Sequence, residues 1–396
     1  MFCVLLLMGV NIQAQSVTKT MLRLPDTGQK TSYTSTFGED NDYNINTPFF
    51  LKNVNGTVVD TITSLMWQQS DGGEMTIEDA YIYCDTLTLG GYSDWRLPNA
   101  QESFSILNHQ YSNPALDINI FTKTAAEYWW TSEYQLNDKT KVWCTNAGGG
   151  IGNHPKSETV SAGGNKKFHV RAVRDVINPI SIPNHFIDNL DSTITDNITL
   201  LEWQHIPNQN LLTWEQALIH AENLTLAGYS DWRLPNIKEL QSLNDETHIN
   251  PSVNPILSTQ IGIKKYWSST TLPNQTLKAW YWDTQFGITT YDNKTNSNYV
   301  MCVRNKTSNT GINSNEILQK NIFIYPNPAS DFIQLPIESY TNPVIHIYNI
   351  QGTIVETLTM SKANKTTDIS LIPNGIYWIS IVDEHYQNVY KLIISR

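Results

Sequence analysis

The sequence predicts an α+β fold, with two tandem domains of one kind followed by a small all-β sandwich. Length is the first observation, because 396 residues exceed the usual size of one compact domain. An internal repeat is the second, since DTLTLGGYSDWRLPN at 85–99 recurs as ENLTLAGYSDWRLPN at 222–236. The third is the segment 319–396, in which short β-rich runs are bounded by Pro, Asn or Gly.

Composition excludes several classes of protein. Hydrophobic residues make up 40% of the chain and charged residues 16%, with 12 Trp and 19 Tyr, so the chain can fill real cores and is neither disordered nor collagen-like. The formal net charge of −11 repels phosphate backbones and anionic membranes. We therefore expect no nucleic-acid partner.

The first residues have the pattern of a secretory signal peptide over 1–15. An apolar run at 2–10 is followed by the small residue Ala14, although the basic start typical of such peptides is missing. No run approaches the length of a membrane helix, so we expect no transmembrane span. Removal of 1–15 would leave Cys84, Cys144 and Cys302, an odd number that argues against a complete disulfide framework.

Each repeat is predicted to begin with a strand and to continue into two helices. Thr76 and Thr213 are capping hydroxyls before apolar residues at helical spacing, and Gly91 and Gly228 are of the kind that ends a helix. A second helix is predicted after each WRLP, where an Asn three positions before a Glu has the spacing of a capping box. Aromatic strands separated by polar loops complete each repeat.

Between the helices, the Asp-Trp-Arg-Leu segments at 94–97 and 231–234 are predicted to be extended, so that Asp and Arg share one face and Trp and Leu the other. The polar pair could bind a ligand or lock the loop through charge-assisted hydrogen bonds, and we favour the lock. The residues of this structural motif are Asp94, Trp95, Arg96, Pro98, Asp231, Trp232, Arg233 and Pro235.

The repeats resemble the Lcl C-terminal domain family of bacterial extracellular proteins. The matching marks are TSLMWQ and TLLEWQ, the capped helix, GYSDWRLPN, W-[TS]-S and the closing V-x-x-V-R, over about residues 20–305. The resemblance implies two C-type-lectin-like domains, with two helices beside a small antiparallel sheet and a loop region that carries ligand contacts. It also implies adhesion and recognition, including glycan or glycosaminoglycan binding, although most members have no assigned ligand.

The resemblance further implies a disulfide between the first helix and the last strand, and each copy has half of that pair. Cys84 would face Ala172, and Ala221 would face Cys302. We expect buried free cysteines that behave as small hydrophobes, rather than a Cys84–Cys302 bridge across the copies.

The closing segment resembles the C-terminal sorting domain of the type IX secretion system. Its marks are Tyr325, Pro326, Asn327, Pro328, Gly375, Tyr377 and Lys391. The resemblance implies a Bacteroidetes-type cell with two membranes, export by the type IX machinery, and a tail that is normally removed. The expected organisation is a signal peptide (1–15), a leader segment (16–50), a first repeat (51–176), a second repeat (177–305), a linker (306–318) and a sorting domain (319–396).

Signatures of common enzymes are missing, including HExxH, CxxC, GxSxG, the P-loop and the Rossmann pattern. The nearest enzyme alternative is the formylglycine-generating family, which has a related fold but uses paired cysteines that neither copy contains. We therefore expect a protein without catalytic activity and without a cofactor.

A candidate calcium loop lies in the leader, where Asp40, Asp42 and Asn44 offer oxygen ligands at alternate positions. The glycine and the distal glutamate of a calcium loop are missing, so an ordinary acidic turn is the alternative. Trp282–Asp283 is the nearest match to the calcium strand of lectins, but it lacks the neighbouring residues that sugar binding through calcium requires.

Aromatic side chains in the strand-rich half of each repeat are candidates for a sugar-binding surface, because sugars stack on Trp and Tyr. Tryptophans at the same position in both copies, such as Trp143 and Trp280, more often build the core. Lys166–Lys167 and Lys264–Lys265 could add positive charge for sulfated glycans. Our ligand candidates are residues without an identical counterpart in the other copy, together with Asp283 beside them: Tyr134, Tyr281, Trp282, Asp283 and Tyr291.

Together these features predict a secreted or cell-surface recognition protein that binds glycan or a host or matrix protein through two modules. The expected partners are that ligand and the type IX secretion machinery. The alternatives are a structural component of a surface layer that binds no external ligand, and a divergent enzyme.

Overall fold

The computed structural model describes residues 16–122, 126–157, 164–306, 324, 329–335, 343–349, 352–359, 366–382 and 387–396. The predicted signal peptide and most of the predicted linker lie outside the described residues. Strands account for 40% of the structure and helices for 12%. The predicted α+β class is therefore wrong, because the protein is mostly β, whereas the predicted tandem arrangement of two related domains is confirmed. The five helices in the described part of the chain are short, at 6 to 10 residues, and much of the sequence predicted as polar loop forms paired strands.

The leader contributes strand β1 (Val17–Lys19) and a 3-10 turn at Asp40–Asp42. The first repeat consists of β2 (Phe50–Lys52), β3 (Thr57–Asp60), β4 (Leu65–Gln68), β5 (Glu74–Met75), α1 (Ile77–Thr86), α2 (Ala100–Ser105), β6 (Tyr128–Gln135), β7 (Asp138–Asn146), β8 (Ile151–Pro155), β9 (Phe168–His169) and β10 (Val173–Asp175). Strand β11 (Ile180–Ile182) follows and pairs with β1.

The second repeat repeats this order with one additional helix. Its elements are β12 (Phe186–Asp188), β13 (Thr193–Asp196), β14 (Leu201–Gln204), β15 (Asn208–Thr213), α3 (Trp214–Glu222), α4 (Ile237–Ser242), α5 (Pro255–Ile261), β16 (Lys265–Thr271), β17 (Lys278–Asp283), β18 (Ile288–Asn293), β19 (Ser297–Val300) and β20 (Val303–Asn305). The closing segment contains β21 (Phe332–Gln334), β22 (Val344–Asn349), β23 (Ile354–Thr359), β24 (Thr366–Asp368), β25 (Gly375–Val382) and β26 (Gln387–Ile394).

Both repeats build the same pair of sheets. One sheet has four strands, in the order β10-β4-β3-β2 in the first repeat and β12-β13-β14-β20 in the second. The other has five strands, in the orders β5-β9-β6-β7-β8 and β15-β19-β16-β17-β18. The closing segment forms a four-stranded sheet, β23-β22-β25-β26, and a two-stranded one, β21-β24. No described helix is long and apolar enough to cross a membrane.

The helices begin where the sequence predicts. The Thr76 hydroxyl accepts a hydrogen bond from the Asp79 amide at 3.1 Å. Asn99 and Asn236 form capping boxes with the glutamates three residues later. Helices α1 and α3 end at Thr86 and Glu222, several residues before Gly91 and Gly228, so these glycines do not cap them as predicted.

The two repeats share a hydrophobic core through equivalent surfaces. Helix α2 packs on α4, its counterpart, and edge strand β8 packs on β18. Ile151 and Thr289 occupy equivalent positions in those strands, and the Ile151 amide donates to the Thr289 hydroxyl at 3.0 Å. Trp143 and Trp280 both lie in this core, at 3% and 2% exposure. The repeats are therefore related as the two subunits of an isologous dimer are.

Residues 24–46 of the leader form an interdomain strap along this junction. The Gln29 side-chain amide donates to the Thr271 carbonyl at 2.5 Å and to the His109 carbonyl at 3.1 Å, and so joins both repeats. The buried Asp40 carboxylate accepts from Thr27 of the strap at 2.8 Å and from Thr270 at 2.5 Å. The strap thus supplies the polar contacts that the shared hydrophobic core does not.

A buried lysine lies under the strap. Lys238 is 1% exposed, and its ammonium donates to the carbonyls of Asp26 at 2.9 Å and Ser105 at 2.7 Å. Burial lowers the pKa of Lys238 to about 8 against the pull of the carboxylates of Asp60, Asp26 and Asp40. Burial also raises the pKa of Asp26 to about 6 and that of Asp40 to about 7.

The closing sheet lies against the first repeat. Trp378 packs on Phe49 with ring centroids 4.8 Å apart, and Tyr348 is buried in the same cluster. Cys84, Cys144 and Cys302 are buried free thiols, and Cys84 and Cys302 lie in different cores. The disulfide of the resemblance is thus formed in neither repeat.

Replacing the buried lysine should destabilise the protein in a pH-dependent way. We expect Lys238→Met to lower the free energy of unfolding by about 3 kcal/mol at about pH 7, below the lysine pKa of about 8, because the carboxylates of Asp60, Asp26 and Asp40 lose their buried cation. The loss should shrink at about pH 5, below the raised pKa values of about 6 and 7, where both carboxyls take up protons. Urea denaturation at both pH values measures the difference.

The exposed Lys167 provides the control, and Lys167→Met should leave stability unchanged at both pH values. If Lys238→Met lowers the free energy of unfolding equally at both pH values, Lys238 contributes to stability through packing and not through its charge.

Candidate functional site

The GYSDWRLP motif forms a lock, in which its Tyr and Asp side chains bind an arginine from the last strand of the same repeat. Arg304 lies over the Tyr229 ring at 3.6 Å, and its guanidinium donates to both carboxylate oxygens of Asp231 at 2.7 and 3.1 Å. Arg174 lies over Tyr92 at 3.8 Å and donates to Asp94 in the same way in the first repeat. This hydrogen bonding holds the pKa of Asp94 below its usual range.

The glycines of the motif belong to a tight turn. Gly90 and Gly91 have φ of 68° and 89°, and Ala227 and Gly228 have φ of 55° and 80°. Positive φ at both central residues is the geometry of a type I′ turn, which explains why the predicted helix-ending role was wrong. The turn exposes the carbonyl of Leu226, which accepts from the Trp232 indole at 3.2 Å.

The motif arginine joins three elements. Arg233 donates to both oxygens of Glu239 at 2.7 and 2.6 Å, and Glu239 also accepts from the Asn236 amide at 2.9 Å. The backbone of Arg233 pairs with Val303 in the last strand. Arg96 makes the same bidentate contact with Glu102, at 2.7 and 2.8 Å.

The prolines and tryptophans of the motif complete the lock. The carbonyls of Pro98 and Pro235 each accept a backbone amide, from Ser132 and Ser269, at 2.8 Å. Trp95 and Trp232 are 3% and 1% exposed. All eight motif residues therefore have contacts within their own repeat, which supports a structural role.

The predicted calcium residues have separate partners. Asp40 is a buried residue of the strap that bonds Thr27 and Thr270, whereas Asp42 accepts from the backbone amides of Gly38 and Glu39 at 2.9 and 3.1 Å. Asn44 donates to the Asn41 carbonyl at 3.0 Å. In the described part of the chain, no group of three or more His, Cys, Asp or Glu residues is placed to hold a metal ion.

The aromatic surface expected in the second repeat is largely packed away. Trp282 is 0% exposed and Tyr281 is 7% exposed, each in a core of the second repeat. Asp283 accepts from the Gln285 amide in the turn that follows β17. Neither ring has a free face for a ligand, and the reason is that β17 is a central strand covered on both sides.

Two of the predicted aromatic residues reach the surface. Tyr291 is 41% exposed on edge strand β18, where its ring meets Trp280 edge-on at 5.6 Å. Tyr134 is partly exposed, and the Lys156 ammonium lies 5.7 Å from its ring centroid.

A cluster that the sequence did not single out lies beside Tyr134. Tyr128 stacks on Phe168 with centroids 4.8 Å apart and meets His154 at 4.3 Å, and all three side chains are partly exposed. The buried Trp130 packs beneath Phe168 at 4.4 Å. We call Tyr128, His154 and Phe168 the aromatic platform.

Basic groups border the aromatic platform. The Lys166 ammonium lies 5.9 Å from the Phe168 centroid. Burial and the Lys166 charge lower the pKa of His154, which keeps its ring neutral near pH 7. The platform is therefore a partly exposed group of packed rings with a cation near its edge.

The aromatic platform is confined to the first repeat. The strand registers place Lys265, Asp292 and Asn298 at the equivalent positions of the second repeat. An alignment of the two repeats could have revealed the platform from the sequence. At the positions of His154 and Phe168, the second repeat has the polar residues Asp292 and Asn298.

The sorting residues lie partly within the described chain. Gly375 begins β25, and the buried Tyr377 donates its hydroxyl to the Pro373 carbonyl at 2.8 Å. Lys391 lies in β26, opposite Trp378. Tyr325, Pro326, Asn327 and Pro328 lie outside the described residues.

Comparison with known families gives three matches along the chain. Residues 56–174 and 192–304 each match the Lcl C-terminal domain, and together they make up more than half of the chain. Residues 323–395 match the secretion system C-terminal sorting domain. Neither is a family of enzymes. No curated protein matches the chain.

The two motif arginines should differ in their contribution to stability. Arg233 and its partner Glu239 have side chains 4% and 7% exposed, whereas Arg96 is 34% exposed. We expect Arg233→Met to lower the free energy of unfolding by about 3 kcal/mol, because Glu239 is left as an unpaired buried charge. The matched variant Arg96→Met should cost less, because Arg96 is itself partly exposed and its removal opens Glu102, which is 0% exposed, to water. Equal losses in urea denaturation would contradict this account.

Proposed function

This chain belongs to the Lcl C-terminal domain family, and from that premise we propose that it is an extracellular recognition protein that binds carbohydrate on the aromatic platform of its first repeat. Its sorting domain makes it a secreted or cell-surface protein exported by the type IX system. Carbohydrate binding is the step that we add to that localisation.

The aromatic platform carries the proposal. Sugars bind proteins by packing their CH groups on aromatic side chains, and Tyr128, His154 and Phe168 form a partly exposed group of three rings, in which Tyr128 and Phe168 stack on each other at 4.8 Å. Trp130 beneath Phe168 fixes the orientation of the platform, so that little side-chain entropy is lost when a ligand binds.

The surroundings of the platform favour an acidic sugar. Lys166 and Lys156 place ammonium groups beside the Phe168 and Tyr134 rings, while His154 stays neutral. Lys156 is paired with Glu78 at 2.8 Å, whereas Lys166 forms no ion pair with any residue that the structure describes. The ring faces would supply affinity and the ammonium would select for sulfate or carboxylate groups.

The strap and shared core affect how such a site would act. Because the two repeats form one unit, a ligand on the first repeat is presented at a fixed angle to the second. The tandem arrangement is therefore better suited to an extended ligand than to two independent sites joined by a flexible tether.

Glycan-array binding by the full chain tests the proposal. We expect binding of acidic sugars that falls by about tenfold or more in Phe168→Ala, because the stacking surface is lost. Tyr291→Ala removes an exposed aromatic residue of the second repeat and serves as the matched control, with binding unchanged.

Thermal unfolding of both variants separates loss of binding from loss of fold. Equal binding by Phe168→Ala and the parent protein would contradict the proposal. A flat array together with ordered self-association would instead favour a structural component of a surface layer.

A further inference from the structure

An open groove of about 470 Å³ lies in the second repeat, on the far side of helix α3 from the hydrophobic core. Strand β15 forms one wall through alternate residues, Asn208, Asn210 and Leu212. Helix α3 forms the other wall, through residues that include Ile219 and His220. The groove contains no residue of the aromatic platform or of the GYSDWRLP motif.

The strand wall is an exposed sheet edge. Strand β15 is the terminal strand of its five-stranded sheet, paired only with β19. Its sequence, NQNLLT, contains no charged residue and no proline, two of the usual means of protecting an edge from pairing with another chain, while its register against β19 shifts at a bulge between Asn208 and Leu212. Leu211 and Ile219 are 54% and 51% exposed beside it.

The first repeat lacks this feature. The equivalent strand, β5, has two residues instead of six and contains Glu74. Asp71, the counterpart of Asn208, is buried and holds His169 at 3.0 Å. The long uncharged edge is therefore specific to the second repeat.

The groove lining is neutral and rich in amides. Asn208 donates to the His220 ring at 3.2 Å, and burial lowers the pKa of His220, so that the ring is uncharged near pH 7. Asn210 and Gln216 add further amides, and Leu212 and Ile219 supply apolar contacts. No acidic or basic side chain lines the groove in a chain of net charge −11, so a neutral occupant matches it best.

We propose that this groove binds an extended, uncharged polypeptide segment of another protein, which adds as a strand along the outer edge of β15. Backbone amides of the segment would pair with the strand edge, the Asn and Gln side chains would bind its polar groups, and Leu212 and Ile219 would contact an apolar side chain. This is a second binding activity, separate in position and in ligand from carbohydrate binding.

Selection of linear dodecapeptides from a phage-displayed library on the full-length protein tests the proposal. We expect enrichment of uncharged sequences, and binding of a synthetic selected peptide that falls by about tenfold or more in Ile219→Arg, which puts a charge into the groove. Ile82→Arg is the matched control, because Ile82 is the equivalent exposed residue of the first repeat at 62% exposure. That variant should bind as the parent protein does.

A peptide-side change tests strand addition without altering the protein. Methylation of alternate backbone nitrogens in the selected peptide should abolish binding when it falls on the side facing β15. Undiminished binding by every methylated peptide would overturn the proposal, as would peptides that bind Ile219→Arg and the parent protein equally, or a library that yields no peptide.

The two binding proposals can fail separately. Phe168→Ala should leave peptide binding unchanged, and Ile219→Arg should leave glycan binding unchanged. Displacement of the peptide by neutral oligosaccharides would identify the groove as a sugar site and overturn strand addition.

Discussion

The bidentate pairing of an arginine with the glutamate of a helix-capping box holds each repeat together. Arg233 and Glu239 link the GYSDWRLP segment to the start of α4 and, through the backbone, to the last strand. Because the same lock forms in both copies, both repeats present the same surfaces. Those equivalent surfaces then meet across α2 and α4 and across β8 and β18. The strap closes the polar part of that junction.

Differences between the repeats lie away from the lock. The first repeat has aromatic rings where the second has Lys265, Asp292 and Asn298. The second has a six-residue edge strand where the first has two residues and a buried acid. A shared framework thus carries one distinctive surface in each copy, which is what a duplicated domain needs if its two halves are to bind different ligands.

Patterns that depend on residues close together in the chain predicted the structure better than those that depend on distant residues. The capping boxes at Asn99 and Asn236 depend on neighbours a few residues apart and are confirmed. Burial alternates as predicted within Asp-Trp-Arg-Leu of the first copy, but Arg233 of the second copy is buried as well. The fold class was wrong because much of the sequence predicted as polar loop forms paired strands, and strand pairing depends on partners that are remote in sequence. Trp282 was predicted to lie at the surface, but it is buried because β17 is a central strand. The order of strands in a sheet does not follow from the local sequence. The strap contacts of Asp40 were equally invisible, since its partner Thr270 is remote in sequence.

The strap also imposes an order on assembly. Gln29 and Thr271, which hydrogen bond, are 242 residues apart in the chain. During synthesis or passage through a secretion pore from the amino end, the early segment has to wait, unassembled, until the second repeat has emerged. A chain interrupted before that point would keep Asp26 and Asp40 without their buried lysine, and quality-control proteases could distinguish it from the finished protein.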